Sequence, residues 1–262
     1  MKANVNGTNL YYETHGTEGP WLTFSHSLAC STAMWGPQIA EFSRRFRVLS
    51  FDTRGHGQSD APPGPYTLEL LADDLAALLA KLGITHTHFC GLSMGGMIGQ
   101  TFALKYPGVF SSLTLADTTS RYPAEAAGAW ADRIKTAQTQ GMQPLVESTL
   151  ARWFTEPFRA VRPDITKTIG AQIAGTPVAG YAGCCEAIPK INLTQRLKEI
   201  ACPILVIVGE QDMGTPLAMA QEIHANAPGS TLTVLSPAAH ISNLEQPEAF
   251  NTALDGFLKR SV

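Results

Sequence analysis

Short apolar runs alternate with amphipathic segments along most of the chain. Leu22-Thr23-Phe24-Ser25, Phe46 to Phe51, Thr87 to Cys90, Leu113 to Ala116, Ile204 to Val208 and Leu232 to Leu235 are rich in aliphatic or aromatic residues. Each is closed by polar or glycine positions. Runs this short suit strands of a parallel sheet covered on both faces. Ahead of them, Val5 and Leu10-Tyr11-Tyr12-Glu13 flank Asn6-Gly7, whose composition predicts a tight turn between two strands.

Helical patterns fall between the strands. Leu68, Leu71, Leu75, Leu78, Leu79 and Leu82 recur at helical spacing, with Gly83 as a C-terminal stop. Met94 to Lys105 reads as a second helix, ended by Tyr106-Pro107-Gly108. Pro247 opens a closing helix whose apolar face is Ala249, Phe250, Ala253, Phe257 and Leu258. This alternation predicts right-handed βαβ crossovers and an open, doubly wound, mostly parallel α/β sheet. Residues 118–190 break it. No strand pattern occurs there, and Ala124–Gln138, Pro144–Phe154, Pro163–Ile173 and Val178–Ile188 all read as helical. The expectation is a helical cap at 118–190, inserted after the sixth strand, on a core made of 1–117 and 191–262.

Composition narrows the function classes. With 262 residues, 44% hydrophobic and 16% charged, the chain can bury a full core, which excludes wholesale disorder. Nineteen Lys+Arg against 22 Asp+Glu argue against nucleic acid and against a charged membrane surface as partners. The longest aliphatic stretch, Ile204 to Val208, is far below the roughly 20 residues of a membrane span. The residues Met1 to Gly7 lack the apolar region of a secretory signal. Cys30, Cys90, Cys184, Cys185 and Cys202 are scattered, with no CxxC pair and no metal-ligand spacing. The adjacent Cys184-Cys185 read as small packing residues. A reduced, cytoplasmic setting is expected, and a homo-oligomer is compatible with the sequence.

The candidate chemistry begins at Gly91-Leu92-Ser93-Met94-Gly95, a G-x-S-x-G turn placed after a predicted strand and before a predicted helix. A serine held at so sharp a turn needs neighbours without Cβ atoms, which Gly91 and Gly95 supply. A serine hydroxyl is a poor nucleophile without a base, and the base needs an orienting carboxylate. His240, after the last predicted strand, is the expected base. Asp212, after Ile204 to Val208, is the expected acid, with Asp117 next and Glu210 also at hand. An oxyanion needs two backbone donors. Met94, directly after the nucleophile, and Leu28, in the loop His26-Ser27-Leu28-Ala29-Cys30, are the candidates. His26 is expected to hold that loop. His56 is expected to be structural, with Asp52 and Arg54 paired around Asp52–Ser59.

These motifs, in the order Ser93, Asp212, His240 and spread over almost the whole length, resemble the α/β-hydrolase family. Within it, Phe51-Asp52-Thr53-Arg54-Gly55-His56-Gly57, Arg152-Trp153-Phe154, Gly180 to Ile188 and His240 to Glu245 are similar to the bacterial 3-oxoadipate enol-lactonases. The resemblance implies opening of a small, anionic enol-lactone through an acyl-enzyme on Ser93. It implies no metal, nucleotide or organic cofactor. Related esterases and cofactor-free perhydrolases share much of the pattern, as would a non-catalytic receptor on the same fold.

An anionic substrate should meet positive charge. Residues 118–190 hold eight Lys/Arg against six Asp/Glu. Arg133 or Arg152 is the expected carboxylate contact, because a planar guanidinium fork matches a carboxylate. The alternative is that both merely pair with neighbouring acids on a solvated face. Trp35, Trp130, Trp153 and Tyr181 are the aromatic candidates for an apolar pocket. Ile241, beside the histidine, is expected against the substrate.

Overall fold

The computed structural model describes residues 1–261. Eight strands form one sheet: β1 (Lys2–Val5), β2 (Thr8–His15), β3 (Trp21–Ser25), β4 (Arg47–Phe51), β5 (Thr87–Leu92), β6 (Phe110–Ala116), β7 (Ile204–Gly209) and β8 (Thr231–Leu235). Their order is β1-β2-β4-β3-β5-β6-β7-β8. The first hairpin and the β2–β4 pairing are antiparallel, and all pairings from β4 through β8 are parallel. The hairpin turn takes the left-handed backbone that its composition demands, with Asn6 at φ 45 and Gly7 at φ 73. Its strands run longer than the apolar residues alone mark, because paired backbone carries Thr8, Asn9 and His15 into the ladder.

Helices cover both faces. They are α1 (Gly36–Phe42), α2 (Leu68–Lys81), α3 (Met94–Lys105), α4 (Ala126–Gln140), α5 (Val146–Trp153), α6 (Glu156–Val161), α7 (Pro163–Gly175), α8 (Val178–Ala187), α9 (Leu217–Asn226), α10 (Ser242–Glu245) and α11 (Pro247–Leu258). Helix α2 buries Leu68, Leu71, Leu75, Leu78 and Leu79 of the stripe read from its sequence, and α11 buries Phe250, Phe257 and Leu258 of its stripe together with Leu254, while Ala249 is exposed. Three helices carry no clear periodic signal. Helix α1 begins at Gly36-Pro37, α10 is a single turn, and α9 buries only Ala220 and Ile223. Helices α4 to α8 stand between β6 and β7, and an isolated bridge between Arg121 and Asn192 closes the neck of this insertion. Among the described residues, no helix is long and apolar enough to cross a membrane.

The central strands β5 and β7 are buried along their whole length. Strand β7 accordingly reads as a continuous apolar run, as a sheet covered on both faces favours, while β5 buries Thr87 and His88 as well, their side chains bonded to Thr23 and Ser112 of the neighbouring strands. Parallel strands also bring all their carboxyl ends to one edge. The loops that follow β3, β5, β6, β7 and β8 carry Leu28, Ser93, Asp117, Asp212 and His240 respectively. Residues far apart in sequence thus share one end of the sheet.

The loop after β4 corrects one pairing. Arg54 does not meet Asp52. Its guanidinium forks onto Asp74 of α2, at 2.7 Å from Nε and 2.6 Å from Nη2. Asp52 instead accepts the backbone N–H groups of Thr32 (2.7 Å) and Gln58 (2.8 Å). The reason is burial: Asp74 is 1% exposed on the leucine face of α2 and requires a cation. His26 ties this loop to the one after β3. Its Nδ1 donates to Ser27 O at 2.7 Å and its Nε2 accepts Thr53 N–H at 2.8 Å, which assigns the neutral tautomer.

Burial holds His26 down to about 4, and burial, followed by the charge of His26, holds His56 down to about 3. The unfolded chain takes up these protons first, from about pH 6.5 downward, so their stabilisation is complete above that pH and is lost on acidification. We expect the melting temperature to fall between pH 6.5 and 5 more steeply in the wild type than in His56→Gln. Equal slopes in thermal unfolding would refute this.

Candidate active site

The turn at Ser93 joins β5 to α3. Ser93 sits at φ 56 and ψ −115, a left-handed backbone that a non-glycine residue occupies at a cost of about 1–3 kcal/mol. Bonds from the neighbouring strand hold it there. Ser93 N–H donates to Ala116 O at 2.8 Å, and Thr118 Oγ1 donates to Ser93 O at 2.7 Å. The flanking glycines permit close approach. A Cβ on Gly91 would lie 2.3 Å from Gly95 O, and one on Gly95 would lie 2.1 Å from Ser25 O. Both obstacles are backbone.

His240 and Asp212 come from adjacent loops. His240 Nδ1 lies 2.8 Å from Asp212 Oδ2, with both side chains almost fully buried. The same carboxylate accepts Thr215 Oγ1 (2.7 Å), Thr215 N–H (3.0 Å) and Gly214 N–H (2.6 Å). Burial opposes its ionisation. The charge and hydrogen bond of His240 and the donors of Thr215 outweigh burial, so Asp212 stays below the usual carboxylate range. Between the other two acids geometry decides. Asp117 accepts Gly209 N–H (2.8 Å) and Ser242 Oγ (2.5 Å), and Glu210 accepts Ser236 Oγ (2.5 Å). Burial, then the charge of Asp212, pushes Asp117 well above the carboxylate range.

With Nδ1 donating to Asp212, the lone pair of His240 is on Nε2. Ser93 and His240 line one cavity of about 150 Å³. Among the described residues, neither Ser93 Oγ nor His240 Nε2 has a hydrogen-bond partner within the chain, and the same holds for the N–H groups of Leu28 and Met94. Leu28 lines the cavity, and Met94 begins α3, where first-turn N–H groups lack intrahelical acceptors.

Trp130, Arg133, Arg152 and Trp153 also line this cavity. Trp153 packs against the imidazole, with ring centroids 5.8 Å apart. The Arg133 guanidinium lies 5.1 Å from the Trp130 ring. Three candidates are not there. Trp35 is fully buried and stacked on Phe24 at 4.7 Å, since the turn at Thr32–Trp35 aims its indole into the core. Ile241 is fully buried too, because consecutive positions point apart and His240 takes the cavity side. Ile241 N–H donates to Trp153 O at 3.1 Å. Tyr181 is 3% exposed, packed within the helical insertion.

Sequence reading missed several lining residues, among them Met97, Tyr122 and Met213. Met97 lies one helical turn after Ser93, so the i, i+4 rule places both on one face. Met213 adjoins Asp212, and its 68% exposure marks the cavity mouth. Tyr122 has no such local signal.

The family model for the alpha/beta hydrolase fold matches residues 20–247. The chain belongs to the α/β-hydrolase family and is a carboxylic ester hydrolase, of the kind that acts on esters and lactones. It is 40% identical to 3-oxoadipate enol-lactonase 2 of Acinetobacter baylyi, over 96% of this chain and 93% of that one. It is 34% identical to 3-oxoadipate enol-lactonase 1 of the same organism, over 99% of this chain and 96% of that one. The crystal structure of the enol-lactonase from Burkholderia xenovorans superposes with a TM-score of 0.95 at 38% identity, covering 99% of this chain and all of that one.

Gly95→Ala is expected to destabilise the fold by about 3 kcal/mol or more, because no side chain can yield to the new methyl. Chemical unfolding and ester turnover check this, and a variant with wild-type values in both would show that the turn tolerates a Cβ.

Proposed function

We propose that Ser93, His240 and Asp212 form a catalytic triad that opens 3-oxoadipate enol-lactone to 3-oxoadipate. The observation that carries this is the shared cavity: a strained, unpartnered serine hydroxyl and an imidazole whose only carboxylate contact lies on its far side. In this reading His240 Nε2 takes the proton of Ser93 as Oγ attacks the lactone carbonyl. Asp212 holds the tautomer and offsets the charge of the imidazolium. The N–H groups of Leu28 and Met94 receive the oxyanion. Ring opening expels an enolate that stays tethered to the acyl group, and the His240 imidazolium gives it the proton taken from Ser93, either on oxygen, leaving an enol that then tautomerises to the ketone, or on carbon, giving the ketone directly. Water activated by His240 then releases Ser93.

The substrate reading draws support from charge. In the insertion, Arg121, Arg159, Arg162 and Lys190 pair with Glu222, Glu147, Asp164 and Glu186. Among the described residues, Arg133 and Arg152 have no acidic partner, and both are half-buried in the cavity wall. An unpaired guanidinium beside a nucleophile favours an anionic substrate. A cavity of about 150 Å³ is in keeping with a small lactone. The two Acinetobacter relatives and the Burkholderia structure carry enol-lactonase names, which supports the same substrate. We read residues 118–190 as a cap over the core of 1–117 and 191–262. The enzyme's five free thiols, four of them buried, favour a reducing cytoplasm.

Ser93→Ala and His240→Ala should each lower kcat/KM by about 10³-fold or more, and Asp212→Asn by a comparable factor. Full turnover by Ser93→Ala would end the triad reading. Arg133→Leu and Arg152→Leu, assayed on the lactone and on p-nitrophenyl acetate, test the anion. The expected loss is about 10–100-fold on the charged substrate, with little change on the neutral ester. Small, equal losses on both would remove the carboxylate contact.

A further inference from the structure

We propose that Glu245 is a positioning residue that couples the seating of the helical insertion to the placement of the His240 imidazole. The inference rests on the reading of His240 as the base for Ser93.

Glu245 ends α10 and is buried, and its carboxylate takes donors from two separate segments. Oε2 accepts Ala239 N–H at 2.9 Å, the residue directly before His240. Oε1 accepts both the N–H of Thr155 at 3.1 Å and its hydroxyl. Thr155 in turn caps α6 of the insertion by accepting Phe158 N–H at 3.4 Å. A second link runs on the other side of the imidazole, where Ile241 N–H donates to Trp153 O at 3.1 Å. Both chain neighbours of His240 are therefore bonded to the single stretch Trp153–Thr155, one directly and one through Glu245. Trp153 itself packs on the imidazole and lines the cavity.

The other end of this arrangement is fixed in the core. Asn243 donates to Met34 O (2.9 Å) and Gln38 Oε1 (3.0 Å), and Ser242 donates to Asp117. Helix α10 is thus an anchored turn, and the insertion is fastened to it. A displacement at Thr155 reaches both sides of His240, so the imidazole is held in line when the insertion is seated. The carboxylate is suited to the task because it accepts without donating, and every partner presents an N–H or O–H. A glutamine there turns an NH2 group toward one of the backbone donors.

The test uses the full chain with p-nitrophenyl acetate and the variants Glu245→Gln, Thr155→Val, Thr155→Ser, Glu245→Gln/Thr155→Val and His240→Ala, with melting temperatures recorded beside kcat and KM. Glu245→Gln should lower kcat about 10-fold while KM moves less than about 3-fold, the signature of a lost transition-state alignment. Thr155→Val should lower kcat in the same direction, and Thr155→Ser should restore it. The double variant should be no slower than Glu245→Gln alone, because the two residues act through one link. If Glu245→Gln does not fold, the Val and Ser variants at Thr155 test the same link from the insertion side. Lowered melting temperatures with wild-type kcat and KM, or losses that multiply in the double variant, would overturn the coupling while His240→Ala stays inactive. Turnover by His240→Ala would instead overturn the reading of His240, and the coupling with it.

Discussion

At 2.8 Å and shut away from water, the hydrogen bond between His240 Nδ1 and Asp212 Oδ2 sets the direction in which the imidazole presents its free nitrogen to the cavity. A carboxylate in such a place is costly unless donors surround it. His240 and the donors of Thr215 keep Asp212 ionised despite its burial, and Gly214 N–H adds a further bond from the same loop. A second carboxyl, Asp117, lies close enough to feel that charge. Two buried carboxylates cannot both ionise cheaply, and Asp117 is the one pushed up. It serves as an acceptor that ties the ends of β6 and β7 to α10. The same strand ends thus hold two acids in unlike states, set by their surroundings.

Ser93 depends on a different constraint, the crowding of backbone around it. Its left-handed conformation is maintained by bonds to Ala116 and Thr118 on the neighbouring strand and its loop. Strain of this kind persists only where the surrounding structure over-determines it. The sheet does so here, since β5 is central and buried throughout. His26 adds stiffness on the opposite wall by joining the loop of Leu28 to the loop of Thr53 through a neutral imidazole.

The insertion contributes what the sheet edge cannot. It places Trp153 on the imidazole and Arg133 and Arg152 in the wall, while its other arginines are neutralised on the surface. Exposed ion pairs such as Arg162–Asp164 contribute little stability. Their consequence is to leave Arg133 and Arg152 as the positive groups in the cavity that Ser93 also lines.

The parallel sheet, the strand–turn–helix around Ser93 and the long helical stretch before β7 were legible in the sequence. Each is written in local pattern: unbroken apolar runs, leucines at helical spacing, glycines flanking a serine. Family resemblance added the motifs at Arg152-Trp153-Phe154 and Gly180 to Ile188. Other features were beyond local pattern. Trp35 and Ile241 have the composition of pocket residues, yet side-chain direction buries both in the core. Arg54 had a nearby acid in Asp52, but its partner is Asp74, twenty positions on and across a helix face. Of the cavity lining that was missed, Tyr122, Ile188 and Met213 depend on how separate segments converge. The sequence by itself determined the sheet, its longer helices and which residues follow each strand, because backbone propensity and hydrophobic period act within a few residues. Which carboxylate meets the imidazole and which arginine is left unpaired were decided only by the tertiary structure, because charge and packing act through space between segments that the sheet brings together.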